Sequence, residues 1–122
     1  MHNNESAENY LETILVLSKK LPVVRAVDIA NELGYKKSSV SIAMKHLREK
    51  EHITVSDAGF ISLTDSGKNI AEMIFERHEI LTSVLTALGV PEDIASEDAC
   101  RIEHVISPES FEALKHHFIK HA

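Results

Sequence analysis

A single cysteine, Cys100, occurs in the chain, which excludes an intrachain disulfide framework and favours a reducing compartment. Glycine and proline are scarce, with four and three residues, and this argues against wholesale disorder. The apolar run over residues 14–17 is too short for a signal peptide, and no segment reaches the length of a transmembrane helix. We therefore expect a folded cytoplasmic protein with no membrane partner.

Acidic residues outnumber basic ones, and the net charge of −6 by itself argues against binding to nucleic acid. The basic residues are unevenly distributed, however. Between Lys36 and Lys50 there are five of them and one acidic residue, Glu49, whereas the remainder holds eight basic and eighteen acidic residues. Such a segment can be the phosphate-facing edge of a DNA-binding unit, or one solvated helix face.

The first half of the chain predicts a helix-turn-helix. Apolar spacing indicates a helix over residues 6–20 and a short helix over residues 27–33, which Gly34 closes. Ser38 and Ser39 are candidate N-caps of a third helix, and this helix is the basic one. Two helices joined by a short turn with a glycine are typical of a unit whose second helix enters the major groove of DNA.

The hydrophobic period then changes. Residues 53–55 and 60–63 alternate apolar and polar side chains around the sequence Ser-Asp-Ala-Gly, which predicts a β-hairpin that serves as a wing. Three more helices are predicted, one from about Thr64, one from Pro91 and one from Pro108. They exceed what DNA binding requires, so we interpret them as a dimerisation surface.

Cys100, Glu103 and His104 are spaced i, i+3 and i+4, which on a helix places a thiol, a carboxylate and an imidazole on one face. All three can bind a divalent metal ion. Taken alone, the pattern also fits a buried core thiol beside two solvated polar residues. His78 lies in the polar segment 76–79, which a solvated surface also explains.

The predicted fold class is mainly α with a small β-hairpin. Residues 1–66 are expected to form a winged helix-turn-helix DNA-binding domain. Residues 67–122 are expected to form a helical metal-binding and dimerisation domain.

Four segments carry a resemblance to a known family: Glu8–Ile14; Asp28–Ala30 with Ser38–Ser41; Leu63-Thr64 with Gly67; and Arg77–Glu79 with Ala99–Val105. Over residues 6–117 the chain resembles the metal-dependent repressors of the diphtheria-toxin-repressor and manganese-transport-regulator family. The resemblance is to the short, two-domain type. It implies a metal site whose ligands come from three helices: Asn9, Glu12, His78, Cys100, Glu103 and His104.

Two of these positions depart from the family pattern. Asn9 stands where manganese-selective relatives carry an aspartate and iron-responsive relatives a methionine. Cys100 stands where manganese-selective relatives carry a glutamate and matches the iron-responsive pattern, and a thiolate shifts preference towards softer ions. The resemblance therefore favours Fe²⁺ as the cofactor, followed by Mn²⁺, with Co²⁺, Ni²⁺ or Zn²⁺ binding in vitro. Thr82 and Ser96 occupy positions where iron-responsive relatives have further ligands, so one well-formed site is expected.

The start of the basic helix supplies the candidate DNA contacts. Serine side chains there reach base edges or phosphates, and lysine side chains reach phosphates. Ile42 either packs inward or touches a thymine methyl group. The candidates are Lys36, Lys37, Ser38, Ser39, Ser41, Ile42 and Lys45.

Together these features predict a metal-activated transcriptional repressor that binds a double-stranded, palindromic DNA operator as a homodimer, without an organic cofactor. One alternative is a winged-helix regulator that responds to no metal. Another is a cysteine-dependent enzyme that uses Cys100 and His104 as a thiolate–imidazolium pair. No glycine-rich loop or oxyanion-type element accompanies that pair, so we do not expect an enzyme.

Overall fold

The computed structural model describes residues 4–121, with side chains for residues 5–120. The ends of the two predicted domains, residues 1–3 and 122, lie outside this part. The chain divides into two compact units, with the boundary between Glu72 and Met73. The boundary falls within a helix, and the division predicted after Ser66 lies on that same helix and stays a prediction. Within the described residues, no helix is long and apolar enough to cross a membrane.

The first unit is a winged helix-turn-helix, as the sequence predicted. Its strands pair antiparallel, with Thr54 opposite Ser62. The unit ends in the first turns of a long helix. Its elements in chain order are α1 (Asn4–Lys20), α2 (Ala26–Leu33), α3 (Lys37–Glu49), β1 (Ile53–Val55), β2 (Ile61–Leu63) and the start of α4 (Asp65–Ala87).

The core of the first unit follows from the apolar spacing of its helices. Val40, Met44 and Leu47 recur at i, i+4 and i+7 on α3, and all three are buried. Leu11 and Ile14 form the corresponding stripe on α1. Burying each large apolar side chain of this kind contributes roughly 1.5–3 kcal/mol.

The turn of the helix-turn-helix explains where α3 begins. Gly34 adopts a left-handed conformation with φ 70°, which ends α2. Two residues later Lys36 is already extended, and its carbonyl accepts a hydrogen bond from the Val40 N–H at 3.1 Å. The helix therefore starts at Lys37, so the sequence prediction that Ser38 and Ser39 cap it is wrong. Both serines lie in its first turn.

The loop end of the wing is held by the segment that precedes α2. The Ile61 N–H donates to the Val24 carbonyl at 2.8 Å, and these two residues form an isolated β-bridge. The Arg25 guanidinium lies 4.8 Å from the centre of the Phe60 ring, a cation–π distance. At the tip, Gly59 takes a φ of 85° and closes the reversal. Two independent contacts thus fix the hairpin to the first unit.

The second unit is helical and consists of the rest of α4, α5 (Glu92–Ile102) and α6 (Pro108–His121). Pro91 is the N-cap of α5 rather than its first helical residue, whereas Pro108 is the first residue of α6. Ala95 and Ala99, one turn apart on α5, are fully buried, and small side chains allow close approach of neighbouring helices. The larger buried apolar side chains of this unit are Ile74, Leu81 and Phe111.

Candidate metal centre and DNA interface

His78 and Glu103 form a direct side-chain pair in the second unit. His78 lies on α4, and Glu103 is the C-cap residue that follows α5. The His78 Nδ1 atom lies 2.9 Å from Glu103 Oε1. The Glu103 side chain is fully buried, whereas 24% of the His78 side chain is exposed. The His78 side of this pair is therefore open to solvent, whereas the Glu103 side is enclosed.

The second carboxylate oxygen of Glu103 is the unusual atom of this region. Glu103 Oε2 is buried and makes no hydrogen bond with any described residue. The His104 Nε2 atom lies 3.3 Å away, an ion-pair distance without hydrogen-bond geometry, and the His104 side chain is 2% exposed. Burial of a carboxylate without compensating partners is unfavourable, so this oxygen requires a cation or a donor.

The other ring nitrogen of His78 is also engaged. Its Nε2 atom lies 3.3 Å from the Ser96 hydroxyl oxygen on α5. From the sequence, Ser96 was only a position where iron-responsive relatives carry a further metal ligand. A hydroxyl on one imidazole nitrogen fixes the ring orientation and leaves the opposite nitrogen facing Glu103. The neighbouring Thr82 hydroxyl is buried and has no hydrogen-bond partner among the described residues.

Cys100 does not occupy the core. It is exposed on α5, so its interpretation as a small buried hydrophobe is wrong. The remaining sequence-predicted ligands, Asn9 and Glu12, are half-buried on α1 in the first unit. Thr13 donates its hydroxyl to the Asn9 carbonyl at 2.8 Å, a bond internal to α1.

The donor set of the second unit fits a divalent transition-metal ion. Two imidazoles and a carboxylate are ligands that Mn²⁺, Fe²⁺ and Zn²⁺ accept. Two ligand atoms bound to one ion at about 2.1 Å and at right angles lie about 3 Å from each other. The distances from His78 Nδ1 to Glu103 Oε1, 2.9 Å, and from His104 Nε2 to Glu103 Oε2, 3.3 Å, are of that size. A bound ion would compensate the charge of Glu103 Oε2, which has no hydrogen-bond partner among the described residues.

The candidate DNA-contacting residues lie on α3 and on Lys36, its N-cap residue, and all of them are exposed. Ile42 is 59% exposed, so the interpretation that it packs inward is wrong. Tyr10 of α1 meets Tyr35 of the turn edge-on, with ring centres 6.0 Å apart. Burial raises the pKa of the Tyr10 phenol, and the neighbouring Tyr35 raises it further. The exposed set is Lys36, Lys37, Ser38, Ser39, Ser41, Ile42 and Lys45.

Comparison with protein families matches both halves of the chain. Residues 3–59 match the N-terminal DNA-binding domain of the iron-dependent repressors. Residues 64–121 match the metal-binding and dimerisation domain of the same repressors. These two matches account for almost the whole chain.

Individual relatives agree with the family matches. The transcriptional regulator MntR of Escherichia coli O6:H1 is 32% identical over 120 residues, which cover 98% of this chain and 77% of that protein. The HTH-type transcriptional regulator MntR of Geobacillus thermodenitrificans is 33% identical over 102 residues, covering 84% of this chain and 72% of that protein.

Solved structures share the fold. A manganese-dependent transcriptional repressor in complex with manganese is 27% identical with a TM-score of 0.80; the match covers 88% of this chain and 50% of that one. IdeR of T. acidophilum is 28% identical with a TM-score of 0.74, covering 91% of this chain and 53% of that one. This chain thus spans about half the length of both solved proteins. It belongs to the iron-dependent repressor family of metal-dependent transcriptional regulators, as its resemblance predicted, and it is not an enzyme.

Proposed function

We propose that this protein is a cytoplasmic repressor that binds a palindromic operator as a homodimer when Fe²⁺ or Mn²⁺ is bound. The observation that carries the proposal is the buried carboxylate of Glu103. Its Oε1 atom faces His78, and its Oε2 atom has no hydrogen-bond donor among the described residues. A bound cation supplies the missing partner, and His78 and His104 supply neutral nitrogen ligands beside it.

The other ligands that we propose are Cys100 on α5 and Asn9 and Glu12 on α1. Their support is the family resemblance and the chemistry of their donor atoms. An ion held by residues of both units favours whichever arrangement brings those residues together. Metal binding would then activate DNA binding to the extent that the ion prefers the DNA-competent arrangement.

Fe²⁺ and Mn²⁺ are supported by different observations. The thiol of Cys100 favours Fe²⁺, because thiolate is a softer ligand than a carboxylate. Mn²⁺ is supported by a similar solved structure, a manganese-dependent transcriptional repressor in complex with manganese. Affinities for both ions, measured without oxygen in one buffer, decide between them.

The DNA-binding part of the proposal rests on the exposed surface of α3. Its lysines would neutralise phosphates, and its serines and Ile42 would face base edges in the major groove. In a dimer, two such helices would enter successive major grooves about 34 Å apart, which explains why the operator should be palindromic.

The homodimer is supported by apolar side chains that the second unit leaves in solvent. Leu88 is 77% exposed, Val105 75% and Ile119 61%. Exposed apolar surface of this kind marks association surfaces. The matching family domain is itself described as a dimerisation domain.

Operator binding with and without metal tests the proposal. A duplex selected from a random library in the presence of Mn²⁺ serves as the operator, and binding is followed by fluorescence anisotropy. We expect wild type to bind at least tenfold more tightly with Mn²⁺ or Fe²⁺ than in chelator, and Glu103→Gln to lose that difference. Glu109→Gln removes the same charge from an exposed position on α6 and should respond as wild type. Equal affinity of wild type with and without metal would instead indicate a metal-independent regulator.

A further inference from the structure

We infer that Arg77 is a positioning residue for the metal centre, acting by holding the main chain of Glu103. The inference rests on the proposed function, because it assigns Arg77 a role towards the ion that Glu103 would bind. The sequence suggested that segment 76–79 was a solvated polar surface. Arg77 is instead buried, with 8% exposure.

The guanidinium of Arg77 contacts the turn between α5 and α6. Its Nη1 atom donates to the Glu103 carbonyl at 3.1 Å and to the Ile106 carbonyl at 3.0 Å. The guanidinium also lies 5.5 Å from the centre of the Phe111 ring on α6. Arg77 therefore binds the turn that follows α5 and packs against α6.

These carbonyls need an external donor. The carbonyl of the C-cap residue Glu103 and that of Ile106 in the following turn have no partner within α5, and the negative end of the helix dipole attracts a cation. A guanidinium suits this position because its donors are fixed in a plane and its charge persists at all physiological pH values.

Arg77 and His78 are neighbours on α4 and hold opposite ends of one residue. Arg77 fixes the main-chain carbonyl of Glu103, while His78 contacts its carboxylate at 2.9 Å. Because both ends are held from a single helical turn, the carboxylate has a defined direction before any ion arrives. Outer residues that orient metal ligands in this way commonly change metal affinity by about 10–100-fold.

The contacts of Arg77 argue against simple space filling. An apolar side chain would occupy the same volume without burying a charge. The Arg77 Nε atom is itself buried without a hydrogen-bond partner among the described residues, so this charge is incompletely compensated. The guanidinium provides two hydrogen bonds to backbone carbonyls, which an apolar side chain could not make.

Calorimetric titration with Mn²⁺ tests the assignment. Arg77→Met keeps the apolar stem and removes the donors, and we expect its Mn²⁺ affinity to fall about 10–100-fold with every ligand intact. Arg77→Lys keeps the charge but loses the planar arrangement of donors. Its Mn²⁺ affinity should lie between those of Arg77→Met and wild type. Ile74→Ala removes a fully buried side chain from α4 and provides the stability control. Hydrogen exchange of the Glu103 and Ile106 amides, without metal, should be at least tenfold faster in Arg77→Met than in Ile74→Ala.

The outcomes separate this inference from the proposed function. Wild-type Mn²⁺ affinity in Arg77→Met would overturn the role of Arg77, as would an equal loss in Ile74→Ala at matched stability. If Arg77→Met does not fold, Arg77→Lys decides, and wild-type affinity in that variant overturns the inference. If wild type binds neither Mn²⁺ nor Fe²⁺, the proposed function fails. The hydrogen-exchange measurement then still decides whether Arg77 orders residues 103–106. Unchanged exchange in Arg77→Met would overturn that role of Arg77.

Discussion

The backbone of Gly67, in the first turn of α4, packs directly against the carbonyl oxygen of His52. A Cβ atom at position 67 would overlap that oxygen. Because the oxygen is a backbone atom, a change of side-chain rotamer cannot relieve the overlap. The contact joins the start of α4 to the residue before β1. It makes Gly67 the one glycine of the described chain that close packing, rather than a positive φ, demands.

Replacing Gly67 tests this contact. We expect Gly67→Ala to destabilise the protein by roughly 1–3 kcal/mol, although alanine is the better helix former, because the neighbouring backbone must shift. Urea unfolding measures the change. Asn69→Ala, at an exposed position on the same helix, should change stability by less than about 0.5 kcal/mol. A Gly67→Ala protein as stable as wild type would show that the His52 backbone moves freely.

A second prediction concerns Glu51, which has a φ of 63° just before β1. Only glycine, asparagine and aspartate adopt this conformation readily. Its carbonyl accepts hydrogen bonds from the hydroxyls of Thr64 at 2.8 Å and Ser66 at 3.3 Å, and a substitution leaves that carbonyl in place. Glu51→Asn should therefore raise the free energy of unfolding by up to about 1 kcal/mol. Glu49→Asn, at the last residue of α3, should bring no gain in the same thermal or urea unfolding measurement.

Ile42 should influence which DNA sequence is bound rather than how stable the protein is. Its exposed side chain has no hydrogen-bonding group, and an apolar contact in the major groove favours thymine through its methyl group. In selection from a random duplex library, Ile42→Ala should lose the preference for thymine at one position of each half-site. Val27→Ala, which trims an exposed apolar side chain of α2, should leave the selected sequence unchanged. An unchanged preference in Ile42→Ala would remove Ile42 from the interface.

Lys45 is expected to contact a phosphate. A plot of log affinity against log salt concentration has a negative slope. Loss of one phosphate contact makes this slope shallower by about 1 and weakens binding to all sequences alike. Lys45→Gln should show both effects in a salt titration of operator binding. Lys120→Gln changes the net charge equally but lies on α6, and its slope should match that of wild type. Equal slopes for the two variants would assign the effect to net charge alone.

Cys100 should determine the preference among metal ions. Exchange of its thiol for a carboxylate replaces a soft ligand by a hard one, so Cys100→Glu should raise affinity for Mn²⁺ relative to Fe²⁺ and Co²⁺. The Co²⁺ complex of wild type should show thiolate-to-metal absorption that Cys100→Ser lacks. If wild type shows no such band, Cys100 is not a ligand, and the preference for Fe²⁺ loses its chemical basis.

The fold was largely predictable from local signals. Apolar spacing located the helices, and Gly34 marked the end of α2 through its positive φ. The start of α3 was placed too late, because serine is a strong N-cap residue in general whereas the extended conformation of Lys36 already begins the helix here. Cap preference is a weak local signal, and the geometry of the preceding turn outweighed it.

The candidate metal centre was predictable in part. The spacing of Cys100, Glu103 and His104 drew attention to the right stretch, but it did not distinguish an exposed thiol from a fully buried carboxylate. The pairing of His78 with Glu103 spans 25 residues, and no periodic pattern encodes a contact of that range. The role of Arg77 was hidden for the same reason, since an arginine among charged neighbours resembles a solvated surface.

The bonds from Arg77 to the turn after α5 also have a consequence for how the second unit folds. They join residues 26 and 29 positions apart, so α4 and α5 must already lie side by side before either bond can form. Closing so long a loop costs conformational entropy that local helix formation does not. These bonds should therefore be absent from the folding transition state. Mutation of Arg77 would then accelerate unfolding and leave the folding rate nearly unchanged.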